Sequence, residues 1–232
     1  MAKYLTLYHG STEIIKHPTL EAGHPRNDYG QGFYCTQNKE LACEWACKSK
    51  RDGFANRYKL SIVKLRTLDL LDGSYTALHW IALLLAHRDF TLHGEFAQAT
   101  RELILERYLI DTAPYDVVIG YRADDAYFSF AESFVEGSLS FAGLEQALYL
   151  GQLGEQIALV SHAAFNALEF QDASPAPASK YYPRFIDRDS QARRTYRNTI
   201  ARKANPADAL LAIDILRMTK EELDARIRRI SR

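Results

Sequence analysis

The sequence predicts an α+β fold, and three observations carry that prediction. Strand-like and helix-like patterns are interleaved along the chain, but the strands lack the regular spacing of a doubly wound parallel sheet. No G-x-G-x-x-G, G-x-x-x-x-G-K-[S/T] or G-x-S-x-G pattern occurs, so neither the glycine-rich phosphate cradles nor the serine-hydrolase elbow is available. Hydrophobic residues make up 47% of the 232 residues and charged residues 25%, the balance of a soluble globular protein with a core large enough to need no staple.

Each element has its own signal. Lys3 to Tyr8 alternates as a strand and stops at His9-Gly10-Ser11. Residues 12–32 are rich in Pro, Gly, Asn and Asp and read as a loop whose length suits a binding role. Gly32 to Thr36 is a short strand, and Asn38 caps a helix to about Lys50 with Leu41, Trp45 and Ala46 on its inner face. Tyr58 to Leu65 alternates as a strand. Ser74 to His87 and Glu95 to Leu109 are helical, and Tyr115 to Tyr121 is a buried strand. Helices are expected at 124–135 and, capped by Ser140, at 140–150. Strands follow at 156–160 and 167–170. Residues 172–179 (DASPAPAS) look like a linker. Helices close the chain at 187–202, 206–217 and 220–230, the last opening on a Thr219–Glu222 capping box.

Composition excludes several classes. With 29 basic and 29 acidic residues, the chain is neither a highly basic nucleic-acid coat nor a disordered polyelectrolyte. Its longest apolar run, Trp80 to Ala86, is far short of the roughly 20 residues of a membrane span. The opening MAKYLTLYHG reads without the basic region, long apolar stretch and small-residue cleavage site of a signal peptide, so no secretory signal is expected. Cys35, Cys43 and Cys47 form no C-x-x-C pair, so the expected location is a reducing cytoplasm. The histidines outside the first strand show no metal-ligand spacing, and no metal site is expected. Charge is uneven: residues 1–179 carry 15 basic and 22 acidic side chains, whereas 180–232 carry 14 and 7. A basic tail either packs on an acidic body or meets an acidic partner.

Three motifs carry candidate chemistry: Tyr8-His9-Gly10-Ser11, the segment from Tyr29 to Thr36 (YGQGFYCT), and Gly154-Glu155-Gln156-Ile157. Their order resembles the His, Tyr, Glu signature of ADP-ribosyltransferases of the diphtheria toxin and poly(ADP-ribose) polymerase type. The resemblance is closer to a bacterial family of that fold, often encoded as a toxin beside a small antitoxin. It extends through YDVVIGYRADD at 115–125 and YYPRFIDRDSQAR at 181–193. It implies a split sheet over residues 1–170, with helical insertions at 74–110 and 124–151 and a basic helical extension at 171–232 on the same domain.

The resemblance also implies roles. NAD would be the co-substrate, with a protein or nucleic acid as acceptor, a small antitoxin as partner and no membrane. His9 would hydrogen-bond the adenine-side ribose, with Ser11 in the same binding group. Gly10 would meet the nicotinamide carboxamide with its backbone, and Tyr34 would stack on the nicotinamide. Gly32, with Gly30, would let the loop turn around the ligand. Arg26 and Asn27 would reach the pyrophosphate or ribose. The third motif departs from the pattern. One register places Glu155 at the catalytic position and the other Gln156, and adjacent strand residues cannot both face the cleft. A glutamine keeps the hydrogen bond but lacks the charge. Asp124 and Asp125 either cap a helix or supply that charge, Asp125 as a catalytic group and Asp124 at the ligand. The rival functions are a non-catalytic NAD- or ADP-ribose-binding module and a nucleic-acid-binding protein acting through the basic tail.

Overall fold

In the computed structural model, which describes residues 4–123, 125–150, 154–195 and 209–230, the alternating run at the N-terminus is strand β1 (Tyr4–Ser11). It pairs antiparallel with β3 (Gly53–Ser61), and β3 pairs antiparallel with β7 (Leu168–Ala176), giving a sheet of order β1-β3-β7. A second sheet joins β2 (Phe33–Cys35), β6 (Glu155–Leu159), β5 (Val117–Tyr121) and β4 (Thr67–Asp69) in the order β2-β6-β5-β4. Among the described residues only the β4–β5 pair is parallel. The class is α+β, as the irregular strand spacing predicts.

Among the described residues one isolated backbone bridge, Tyr8 with Thr36, joins the two sheets. The core between them is built by alternation. Leu7, Tyr58 and Leu60 of the first sheet meet Phe33, Cys35, Val117, Ile157 and Leu159 of the second. The other face of the first sheet is covered by α1 (Lys39–Ala46), where Ala42, Cys43, Ala46 and Cys47 pack on Ala55, Ala176 and Tyr181. Small residues on both sides bring helix and sheet close. The Asn38 side chain caps α1 by accepting from the Leu41 N–H at 3.2 Å. The three cysteines are free and buried.

The chain divides into two compact units. The first is Met1–Leu71, Asp111–Arg122 and Leu153–Arg188. The second is Asp72–Ile110, Ala123–Gln152 and Asp189–Arg232, and it takes in the two insertions expected from sequence. It holds α2 (Ala77–His87), α3 (Gly94–Tyr108), α4 (Asp125–Val135) and α5 (Phe141–Leu150). The Ser140 side chain caps α5 as expected. The helices α8 (Ala212–Arg217) and α9 (Lys220–Ile230) dock on α3. Arg107 donates to the carbonyls of Ile215 and Met218, and the Tyr108 hydroxyl donates to Asp224. No helix among the described residues is long and apolar enough to cross a membrane.

Three expectations are corrected. β3 starts at Gly53, not Tyr58, because Gly53 and Ala55 pack their small faces on α1. The linker at 172–179 is instead the second half of β7 and the start of a helix. Pro175 sits within this strand. β7 is an edge strand, where a missing N–H costs no ladder bond. The helix that follows, after the short α6 (His162–Asn166), is α7 (Ala178–Thr195), which begins nine residues earlier than expected. Its basic side chains meet acidic α1: Lys180 and Arg184 pair with Glu40, and Arg188 binds Glu44 bidentately at 2.7 and 2.8 Å. Part of the tail's positive charge is therefore neutralised within the first unit.

Candidate functional site at the split between two sheets

The split begins with a hydrogen-bond choice. Tyr8 and Thr36 exchange both backbone bonds, at 2.7 and 2.9 Å, so the Tyr8 N–H and C=O point away from β3. Alternation turns the Gly10 backbone to the same edge, where a continued ladder would pair it with Tyr34. Instead His9 donates from Nδ1 to the Tyr34 carbonyl at 2.7 Å. The ladder stops there, and among the described residues no backbone group bonds Gly10 on that edge. Gly10 therefore offers an N–H and a C=O side by side. Its missing side chain has a separate cause: a Cβ there would lie 2.0 Å from the Ala42 carbonyl oxygen of α1.

His9 is built to stay neutral. Its ring stacks on Phe33 with centroids 4.2 Å apart. Burial pushes its pKa below the ordinary value, outweighing the opposing effect of the Tyr34 carbonyl. The Nδ1–H bond assigns the tautomer and leaves Nε2 as an acceptor. The sign of the pH dependence follows. With the folded pKa depressed, the stabilisation by neutral His9 is complete above the ordinary histidine value of about 6.5 and is lost as pH falls below it. Urea unfolding at about pH 7 and about pH 5 tests this. The parent should lose more stability between the two than His9→Gln does, and equal losses would contradict a neutral, half-buried His9.

The second half of the site lies on one face of the four-stranded sheet. Tyr34 pairs with Ala158, Val118 with Ala158, and Gly120 with Gln156. Directly paired residues share a face, so Tyr34, Ala158, Gln156, Val118 and Gly120 lie together. Glu155 and Ile157 are on the opposite face. Of the two adjacent residues, Gln156 shares a face with Tyr34, and Glu155 does not. Glu155 is exposed and lines an open cleft of about 610 Å³ with Thr36, Gln37, Asn38, Lys39, Gly154 and Ile157.

The end of the long loop folds over the Tyr34 face. The Tyr34 hydroxyl donates to the Gly30 carbonyl at 2.7 Å and accepts from the Tyr29 N–H at 2.9 Å. The Tyr29 hydroxyl donates to the Tyr121 carbonyl at 2.6 Å across Gly120, where a Cβ would strike it. Gly30 takes the left-handed conformation, φ +80°, that closes this turn. Asp28 is thereby carried inward, 5% exposed, to within 2.7 Å of the Gln156 amide nitrogen. The loop thus holds the Tyr34 hydroxyl, and the Tyr29 ring lies alongside the Tyr34 ring with centroids 6.4 Å apart.

The other candidates are placed as follows. The Ser11 hydroxyl donates to the Glu13 carbonyl and accepts from Asn56. Gly32 is buried, and a Cβ there would meet the Leu159 carbonyl at 2.7 Å, so its smallness serves packing on β6. Arg26 is exposed in the loop. Asp124 lies outside the described residues, and Asp125 opens α4 in the second unit. The carboxylate found at Gln156 is Asp28. Sequence reasoning passed over Asp28, and the unusual length of its loop was the only signal. It also passed over Asn56, fully buried on β3, which accepts from the Ile15 N–H and donates toward His9, Ser11 and Glu13. Asn56 holds the chain as it leaves β1.

Together these features define an α+β protein with a histidine at the split of its sheets and a buried carboxylate–amide pair on one face. A family model described as "Protein of unknown function (DUF3990)" matches residues 5–170, and the chain belongs to that family. No curated protein and no solved structure matches it.

Proposed function

We propose that the protein transfers the ADP-ribosyl group of NAD to a macromolecular acceptor, on a split sheet of the ADP-ribosyltransferase kind. The observation that carries the reading is the interrupted ladder: neutral His9 bonds the strand that bears Tyr34 and leaves the Gly10 backbone open, with Gln156 on the Tyr34 face. Each group suits a part of NAD. The paired N–H and C=O of Gly10 match a carboxamide. The Tyr34 ring matches the cationic nicotinamide. His9 Nε2 and Gln156 Oε1 are acceptors for ribose hydroxyls. In the transfer, the bond from the ribose anomeric carbon to the nicotinamide nitrogen breaks and its electron pair goes to that nitrogen. Nicotinamide leaves neutral. A lone pair of the acceptor forms the new bond to the same carbon, and the acceptor gives up one proton. The resemblance in sequence adds the setting of a toxin with a small antitoxin partner.

Calorimetric titration of NAD tests the site. His9→Ala and Tyr34→Ala should each weaken binding by about tenfold or more, a loss of about 1.4 kcal/mol each. Unchanged affinity in both would remove the assignment. The second reading, a module that binds NAD or ADP-ribose without turnover, is favoured by one observation: the strand carries a neutral amide, Gln156, in place of a carboxylate. Radiolabelled NAD separates the two. Release of nicotinamide or labelling of a macromolecule supports the enzyme, and binding without release supports the module.

A further inference from the structure

Resting on the NAD reading above, we propose that Asp28 is a positioning residue for ribosyl transfer: its buried carboxylate orients the Gln156 amide and provides, through it, the negative charge a glutamine lacks. The geometry has three parts. First, the amide can point only one way. Asp28 Oδ2 accepts from Gln156 Nε2 at 2.7 Å, and the Tyr121 carbonyl faces the same nitrogen at 3.5 Å. An ionised carboxylate only accepts, so the amide nitrogen must be the atom turned toward it. Oε1 is then directed away from Asp28 as an acceptor, and no described residue donates to it.

Second, the pair is withdrawn from water. Asp28 is 5% exposed and Gln156 3%. A charge at low effective dielectric acts over a longer distance, and a carboxylate bonded to the N–H side of an amide raises electron density on its oxygen. That oxygen is the atom available to a ribose hydroxyl next to the carbon where positive charge develops.

Third, the carboxylate is held before any ligand arrives. The two bonds of the Tyr34 hydroxyl and that of the Tyr29 hydroxyl fix residues 29 and 30, and Asp28 precedes them. Preorganised charge of this sort is usually the largest electrostatic contribution to such a transition state. Glu155 cannot replace it, because it sits on the opposite face of β6.

The test moves the charge. Asp28→Asn keeps the size and an acceptor oxygen but removes the charge. It should lower the rate of nicotinamide release by about 10²-fold, with NAD affinity by calorimetry changed by less than about threefold. Gln156→Glu in the parent places two carboxylates in contact. They share one proton, so turnover should gain an ionisation above the ordinary carboxylate range. Asp28→Asn combined with Gln156→Glu restores a single charge on the strand. It should recover most of the lost rate and abolish the added ionisation. A loop-holding role alone predicts neither the recovery nor the new ionisation. Parent-like turnover of Asp28→Asn, or no recovery in the double variant, overturns the proposal while the NAD reading stands. If Asp28→Asn melts below the assay temperature, the pH profile of Gln156→Glu decides: a profile like the parent's overturns it. A parent protein that neither binds NAD nor releases nicotinamide removes the NAD reading, and the proposal with it.

Discussion

Gly10→Ala should destabilise the protein by about 3 kcal/mol or more, the upper range for forcing extra atoms into a packed site. The added Cβ would sit 2.0 Å from the Ala42 carbonyl oxygen and 2.8 Å from the Ala46 nitrogen. Both are backbone atoms of α1, so no side-chain rotation relieves the contact. The helix would have to back away from the sheet and open the cluster of Ala42, Cys43, Ala46, Cys47, Ala55 and Tyr181. The backbone conformation itself is not the obstacle, since Gly10 is not among the residues with positive φ. The gain from reduced freedom of the unfolded chain, about 0.4–1 kcal/mol, is too small to offset the clash. Urea unfolding followed by circular dichroism measures the effect. A midpoint equal to the parent's would mean that α1 is free to move off the sheet.

Arg188→Met should cost about 3 kcal/mol, at the low end for breaking a buried ion pair because Arg188 keeps about a third of its side chain exposed. The loss comes from Glu44. Its side chain is 3% exposed, and Arg188 binds both its oxygens. Removing the guanidinium leaves a carboxylate in the interior without its cation. Combining Arg188→Met with Glu44→Gln should recover most of the loss, since the uncompensated charge then disappears. A single variant as stable as the parent would show that α7 contributes no more than surface charge pairing. The same experiment bears on the basic tail, because an Arg held by Glu44 is not available to a nucleic acid.

Much of the local structure was legible because its causes are local. The cap at Asn38, the cap at Ser140 and the box at Thr219–Glu222 each rest on residues within one turn of one another. The strand at Tyr4–Ser11 follows from alternation, and the class from the spacing of such runs. Composition set the expectation of a core that needs no staple and of no membrane span. The motif residues His9, Gly10, Tyr34 and Gln156 stood out through the order of three short motifs and the family that order resembles, since each motif alone is weak. Alternation also required that Glu155 and Gln156 face opposite ways.

Which of them shares a face with Tyr34 was decided only by register, through the pairs Tyr34–Ala158 and Gly120–Gln156. Register is a property of two strands, and no window along one of them contains it. Asp28 went unseen for the same reason: its partner Gln156 is 128 residues away, and a carboxylate in a polar loop carries no local sign of burial. Pro175 and its neighbours read as a linker because proline disfavours strands in general. Placement at the edge of a sheet lifts that penalty, and only the tertiary structure says which strand is the edge. Propensity and capping act over a few residues of chain. Burial, register and the pairing of charges act through space, and they set the geometry of this site.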